Sequence, residues 1–167
     1  HAMTFSVLAM AELGDLASDR KYLEFVQKVY EYARSKGFPQ VGYYPEGIDQ
    51  DPPVMESCSQ AHMPKIALIL TRNGMGDYWD DIDRMVRNQL IENQLTEYEW
   101  IYTLGERIPD YEIPVPMDYD GVRDVGRRML GGFASYARLN DFFKPSMHAP
   151  GPIVGCSTGN GAIALYY

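Results

Sequence analysis

The sequence is short of cysteine, of basic residues and of long apolar runs, and each shortage excludes a class of protein. Two cysteines in 167 residues do not make the framework of a disulfide-rich secreted domain. No apolar run approaches the roughly 20 residues that a membrane-spanning helix needs. The net charge of -8 argues against binding to nucleic acid or to an anionic membrane surface, because both demand a basic protein surface. A neutral or cationic ligand is more compatible with this charge.

Two catalytic motifs are absent as well. The chain has no HExxH and no phosphate-binding glycine loop that follows a strand and carries a lysine. What is present is an apolar content of 46%, enough for a globular chain of one domain's length. The 13 tyrosines and two tryptophans suit contacts with sugar rings, although aromatic side chains are equally typical of an ordinary core.

Apolar residues recur at helical spacing in two consecutive segments near the start of the chain. The first segment predicts a helix over about 4–16, and the second follows an N-cap at Ser18-Asp19. Gly37, expected in the left-handed conformation of a C-cap, and Pro39 end the second helix. The pattern predicts an antiparallel helical hairpin.

A second hairpin is expected after a glycine-, proline- and tyrosine-rich loop over 38–53. Its first helix is predicted over about 59–72, with regular geometry only from Pro64, because an interior proline removes a hydrogen bond. Its second helix is predicted over about 78–93, and we expect Asp81 and its charged neighbours on solvated faces. The buried stripe of that helix is predicted from apolar residues at helical spacing, Trp79, Ile82, Val86 and Leu90.

Short elements are expected in the rest of the chain. Residues 97–103 alternate loosely and predict a short strand. A short helix is predicted over 122–130, ended by Gly131-Gly132, and extended chain is predicted over 133–139.

The last predicted helix begins near Ser157 or Thr158, either of which can cap it, and reaches Tyr167 without a C-cap. Because natural domains rarely end on an uncapped apolar turn, we interpret residues 4–167 as a single helical domain that is a fragment of a longer one. The first three residues, 1–3, resemble the remnant of an expression vector.

A carboxylate and a thiol lie two residues apart, at Glu56 and Cys58, where the proline-rich loop enters the third helix. The other cysteine, Cys156, lies at a second loop-to-helix junction. If the fold brings the two junctions together, one carboxylate and two thiolates can bind one metal ion. His62, one helical turn after Cys58, is a candidate fourth ligand, although a single histidine is more often a hydrogen-bonded core residue. Inert buried thiols are the simpler interpretation of both cysteines.

Four stretches resemble the bacterial β-L-arabinofuranosidase-like glycoside hydrolases: Glu56-Ser57-Cys58, the segments 78–81 and 87–89, and the run from Gly155 to Ala162. The resemblance extends over about residues 22–167. It implies an all-α fold in which helical hairpins form part of an (α/α)6 barrel, with a few short extended segments after residue 95. In that family a Glu-x-Cys motif and a later Cys-Cys-x-x-Asn motif hold one zinc ion.

The resemblance also implies roles for individual residues. Glu56, Cys58 and Cys156 correspond to zinc ligands, and Cys156 corresponds to the nucleophile that attacks the anomeric carbon of a carbohydrate. Glu46 is the best match for the general acid and base. A reaction through sulfur and then water retains the configuration of the sugar. Candidate substrate-binding residues are Tyr44, His62 and Asn160.

Two departures from the family pattern keep other interpretations open. Ser157 stands where the family has a second cysteine, and a hydroxyl is a much poorer zinc ligand than a thiolate. Six hairpins also need about 300 residues, roughly twice this length. The alternatives are a non-catalytic helical module that binds carbohydrate or protein, and another zinc-dependent toroid of the lanthionine-cyclase or prenyltransferase type that uses His62 or His148. Exposed helix faces of an incomplete barrel predict a homo-oligomer.

Overall fold

A computed structural model describes residues 2–49, 53–100, 103, 125–134, 136–138 and 155–167. This part of the chain is mostly helical, as predicted, and contains two short strands. None of its helices combines the length and the apolar character that a bilayer crossing demands. The elements are α1 (Ala2–Leu16), α2 (Arg20–Ser35), β1 (Val54–Glu56), α3 (Ser57–Arg72), α4 (Trp79–Met85), a π-helical turn (Val86–Leu90), a 3-10 turn (Ile91–Asn93), α5 (Val125–Arg128), β2 (Tyr136–Arg138) and α6 (Gly155–Tyr166).

The predicted first hairpin is present as α1 and α2, which pack against each other. Asp19 caps α2, since its side chain accepts a hydrogen bond of 2.9 Å from the backbone N–H of Lys21. The predicted left-handed conformation of Gly37 is wrong, because its φ is not positive and Lys36 is the C-cap. Glycine is present because the position has no room for a side chain: a Cβ on residue 37 would lie 2.5 Å from Cδ1 of Tyr44.

Helix α3 lies at the centre of the described fold and contacts α1, α2, α4 and α6. Twelve of its 16 residues are buried. It runs without interruption from Ser57 through Pro64, so the prediction that regular helix begins near Pro64 is wrong. Packing on several sides holds the first two turns in helical geometry and outweighs the penalty of an interior proline, about 3 kcal/mol.

The fourth helical segment is continuous over 79–93, but its geometry changes along its length. The π-helical turn inserts one extra residue, which rotates the following side chains around the axis. Met85 and Leu90 are therefore both fully buried although they lie five positions apart. Of the predicted stripe, Leu90 is buried, Ile82 and Val86 are half-buried, and Trp79 is 57% exposed.

Asp81 is buried, which corrects the prediction that it faces solvent. Its carboxylate accepts two hydrogen bonds from the guanidinium of Arg34, at 2.6 and 3.2 Å. It accepts a third from the hydroxyl of Tyr30, at 3.1 Å. Burial and the neighbouring negative charge raise the pKa of Tyr30, so the phenol remains a donor. These bonds join α2 to α4.

Segments that are distant in sequence meet beside the start of α3. Strands β1 and β2 pair in antiparallel fashion, with Glu56 opposite Tyr136. An isolated antiparallel bridge joins Gln94 to Phe133. The Ser57 hydroxyl donates a hydrogen bond to the carbonyl oxygen of Ala134. Together these bonds fix the entrance of α3 against the later part of the chain.

The predictions for the later elements have mixed outcomes. The extended chain predicted over 133–139 is confirmed at β2, and the short helix is confirmed at α5. Gly131, in the turn that follows α5, has a φ of +83°, a backbone conformation that favours glycine. The prediction of a strand over 97–103 is wrong for the part of this segment that the structure describes. Glu99, Trp100 and Thr103 are helical. The described helices do not establish a closed barrel, and that architecture remains a prediction.

Candidate metal centre

The first half of the candidate site lies at the junction of β1 and α3. Glu56 is the last residue of the strand, with extended backbone at φ −116° and ψ 130°, and the helix starts at the next residue. Cys58 is the second residue of α3. Both side chains are buried, Cys58 completely. The switch from strand to helix therefore carries a carboxylate and a thiol into the protein interior.

Helix α6 supplies the second half of the site. It begins at Gly155, three residues before the predicted start near Thr158, and packs against α3. Ser157 was predicted as a possible N-cap of this helix. It lies inside the helix instead and is fully buried. Gly161 allows the close packing, since a Cβ there would lie 2.4 Å from Cγ of the buried Phe133.

The two junctions converge. One ligand atom each from Glu56, Cys58 and Cys156 lies within 4.8 Å of the other two. Cys58 is buried, whereas Cys156 is exposed to solvent. The three side chains form a group that could hold a metal ion and that opens to solvent on the side of Cys156.

Ser157 lies beside both sulfur atoms. Its hydroxyl oxygen is 3.6 Å from Sγ of Cys58 and 4.0 Å from Sγ of Cys156. These distances correspond to weak hydrogen bonds that involve sulfur. The serine therefore occupies the place beside the thiols where a further metal ligand would stand, and it offers a neutral oxygen there.

The thiol of Cys58 is not acidic in the protein alone. Burial raises its pKa to about 11, and the negative charge of Glu56 contributes to the rise. Hydrogen bonds from Asn160 and Ser157 oppose the rise without cancelling it. At neutral pH Cys58 is consequently a thiol, and a metal cation would be needed to hold it as a thiolate.

Asn160 connects the thiol site to His62. Its side chain hydrogen-bonds to both Cys58 and His62. The imidazole Nδ1 lies 3.5 Å from the hydroxyl of Thr4, and the ring is 5.7 Å from that of Phe5. Burial lowers the pKa of His62, so the ring is neutral at pH 7. His62 is not part of the potential metal-binding group, and Asn160 lies between it and the sulfur.

Glu46 and Tyr44 are also outside the metal-binding group. The backbone N–H of Glu46 donates to the carbonyl oxygen of Val54 at 2.7 Å, which places its loop beside β1. The exposed Glu46 and the buried Tyr44 line a small cavity of about 60 Å³ together with Ser59. Burial raises the pKa of the Tyr44 phenol, and the nearby Asp81 adds to the effect. His148 lies outside the described residues.

Sequence reasoning missed the contact between Gly161 and Phe133. A signal was present, because Gly159 and Gly161 lie within one predicted helix although glycine is unfavourable in helix interiors. Nothing in the sequence identifies Phe133 as the side chain that requires the space.

Comparisons with models of protein families, with curated proteins and with solved structures find no match for this chain.

Proposed function

We propose that this chain carries the zinc–thiolate centre of a retaining glycoside hydrolase that acts on oligosaccharide or polysaccharide. The observation that supports the proposal is the meeting of Glu56, Cys58 and Cys156 within 4.8 Å, from two parts of the chain that are far apart in sequence. The motif resemblance names the same three residues.

The donor set fits zinc better than the hard divalent cations. Thiolates are soft ligands that favour zinc, whereas magnesium and calcium prefer oxygen ligands. Three protein ligands and one open position are the usual arrangement of a catalytic zinc site. Glu56, Cys58 and Cys156 supply the three ligands, and the hydroxyl of Ser157 borders the remaining position.

The two cysteines differ in what they can do. Cys58 has no exposed surface, so its sulfur can serve only as a ligand, whereas the exposed Cys156 can reach a substrate. A bound zinc ion would keep both sulfur atoms deprotonated at neutral pH. The resemblance assigns the general acid to Glu46, whose exposed side chain lies on the loop beside β1.

The proposed reaction proceeds in two displacements. The sulfur of Cys156 attacks the anomeric carbon while the glycosidic bond breaks and the leaving oxygen takes a proton from the general acid. Water then attacks the same carbon, gives its proton to the same carboxylate and displaces the sulfur. Two inversions retain the configuration of the sugar.

Metal analysis of the purified 167-residue chain tests the first part of the proposal. After loading with zinc and desalting, we expect one zinc ion per chain for the wild type and none for Cys58→Ala, measured by mass spectrometry of the metal. Ser157→Ala is the matched control and should retain zinc, because a hydroxyl adds little affinity. Ser157→Cys should bind zinc at least about tenfold more tightly, since it adds a thiolate. A wild-type chain that retains no zinc would refute the metal site.

Activity measurements test the second part. Aryl arabinofuranosides and other aryl glycosides should be hydrolysed by the zinc-loaded chain, and Cys156→Ala should reduce turnover to background. Proton NMR of the first product should show the anomer of the substrate. Turnover that survives in Cys156→Ala, or a product of inverted configuration, would exclude Cys156 as the nucleophile.

The presence of Ser157 supports a second candidate, a non-catalytic helical module that binds carbohydrate or protein. Its oxygen stands 3.6 Å from the sulfur of Cys58, in the place of a stronger ligand. A chain that binds no zinc and hydrolyses no glycoside, yet binds oligosaccharide in a calorimetric titration, would favour this candidate over the hydrolase.

A further inference from the structure

We propose that Cys58 and Cys156 are a modification site: in the metal-free chain, a peroxide converts them to an intramolecular disulfide that blocks the candidate metal centre. The formation of the bond depends only on the position of the two thiols. Its consequence for metal binding and activity rests on the proposed function.

The sulfur atoms are close enough for this bond. They lie within 4.8 Å of each other, and a disulfide requires about 2.0 Å. Rotation of one χ1 angle between staggered positions moves a cysteine sulfur by about 3 Å, a distance comparable with the gap that remains. Both residues stand in the first turn of their helices, and those helices pack against each other.

The different exposure of the two thiols sets the order of the steps. Peroxide reaches the exposed Cys156 first, while Cys58 is shielded from solvent. The thiolate of Cys156 attacks one peroxide oxygen, the O–O bond breaks, and a sulfenic acid and one water are formed. The sulfur of Cys58 then attacks the sulfur of Cys156 and loses its proton, and the S–O bond breaks to release a second water. Two thiols are oxidised by two electrons and one peroxide is reduced to two waters.

The disulfide removes two of the three metal ligands in one event. It also removes the proposed nucleophile, and the remaining Glu56 and Ser157 offer only oxygen. Conversely, a metal ion on the two sulfur atoms withholds them from the peroxide. The site therefore has two exclusive states, metal-bound or oxidised. A dithiol reductant converts the disulfide back to two thiols, which can then bind the metal again.

Thiol counting and peptide mapping test the inference. The chain is stripped of metal with a chelator, treated with one equivalent of hydrogen peroxide, and digested without reductant. We expect the two free thiols of the chain to fall to none, a peptide pair linked through Cys58 and Cys156, and recovery of both thiols after treatment with dithiothreitol. In the matched variant Cys58→Ala, the same treatment should leave Cys156 as a sulfenic acid that dimedone labels.

Other oxidation products would contradict the inference. Separate sulfinic acids, or dimers linked only through Cys156, in place of the intramolecular bond would overturn the inference. Zinc loading and glycoside turnover are measured on the reduced chain in parallel. A linked peptide from a chain that neither binds zinc nor turns over glycosides would support the modification site and refute the hydrolase, so the two failures are distinguishable.

Discussion

Two glycines of α6 lie two positions apart in opposite surroundings. A Cβ on Gly161 would lie between 2.4 and 2.7 Å from three ring carbons of Phe133, whereas a Cβ on Gly159 would meet no atom within 4 Å. Real Cβ atoms do not approach other carbons so closely. Gly161 therefore sets how near α6 comes to the buried ring, and through the helix it sets the position of Cys156.

We predict that Gly161→Ala destabilises the protein by about 1 to 3 kcal/mol, because the methyl group forces α6 away from Phe133. The matched control Gly159→Ala should raise stability by up to about 1 kcal/mol, since alanine is favoured over glycine in helices. Thermal unfolding followed by circular dichroism measures both changes. Equal changes in the two variants would contradict the packing argument.

The neutral state of His62 predicts a dependence of stability on pH. Burial lowers the pKa of the folded imidazole below its ordinary value of 6.5, so the unfolded chain binds the proton more tightly. The stabilisation is complete above about pH 6.5 and is lost as the pH falls towards the folded pKa. Thermal unfolding from pH 8 to pH 5 should show a steeper loss for the wild type than for His62→Gln. Parallel curves would mean that His62 does not titrate differently on folding.

For single residues, the sequence identifies candidate ligands by their chemical type better than it predicts where they lie in the fold. Glu56 and Cys58 can be selected because a carboxylate and a thiol so close together are unusual. Their meeting with Cys156 is a property of the packing of α6 on α3, which no local pattern encodes. The location of Asn160 between Cys58 and His62 was equally beyond sequence reasoning, since it depends on which face α6 presents.

Helices α2 and α4 are held together by a buried charge. Asp81 has a side chain that is only 3% exposed, and its principal partner Arg34 is 37% exposed. Asp80, the preceding residue, forms a similar pair with Arg84 on the surface and is 85% exposed. Adjacent residues of one helix thus offer a buried and an exposed ion pair for direct comparison.

We predict that Asp81→Asn destabilises the fold by about 2 to 3 kcal/mol, because it weakens hydrogen bonds to Arg34 and Tyr30 that are charge-assisted and shielded from water. The control Asp80→Asn should change stability by less than about 1 kcal/mol, as is usual for an exposed pair near a helix start. Urea unfolding of the three proteins measures the difference. A similar loss in both variants would mean that burial does not strengthen the Asp81 pair.

The elements themselves were predictable to different degrees. Helical periodicity was sufficient for α1, α2 and α3, because each has a regular apolar repeat. It misassigned Asp81, whose place is decided by a partner on another helix. The π-helical turn at Val86–Leu90 shifts the buried face by one residue, and only the three-dimensional packing reveals that shift. For the same reason Pro64 was misjudged, since burial of α3 overrides its local preference.

The whole molecule exposes several large apolar side chains. On α2 they form a stripe beside the buried face, at Tyr22, Phe25 and Tyr32, with exposed fractions of 39%, 48% and 51%. Contiguous apolar patches are typical of surfaces that another protein covers. The surface is consistent with the expected self-association, which remains a prediction.

We predict that the chain associates with itself in a concentration-dependent manner and that Phe25→Lys weakens the association by at least about tenfold, because a charge then has to be buried. Sedimentation equilibrium measures the molar mass. Glu24→Lys places a lysine on the neighbouring, polar position and is the control, with a change in net charge of two units in place of one. A wild-type chain that stays monomeric at all concentrations would refute the prediction.

At the largest scale, the helical hairpins followed from the periodicity of apolar residues, whereas the barrel was implied only by the resemblance. Two hairpins establish only that neighbouring helices pack in sequence order. The contacts that define the site join residues near 56 to residues near 134 and 157, and such long-range pairs leave no trace in a local pattern.

The late position of α6 in the chain has a consequence for biosynthesis. A ribosome releases Glu56 and Cys58 long before it polymerises Gly155–Tyr166, the helix that covers them. Throughout that interval the nascent polypeptide carries only two of the three potential ligands, because Cys156 has not yet been made. Translation must therefore reach α6 before Glu56, Cys58 and Cys156 can come together as one group.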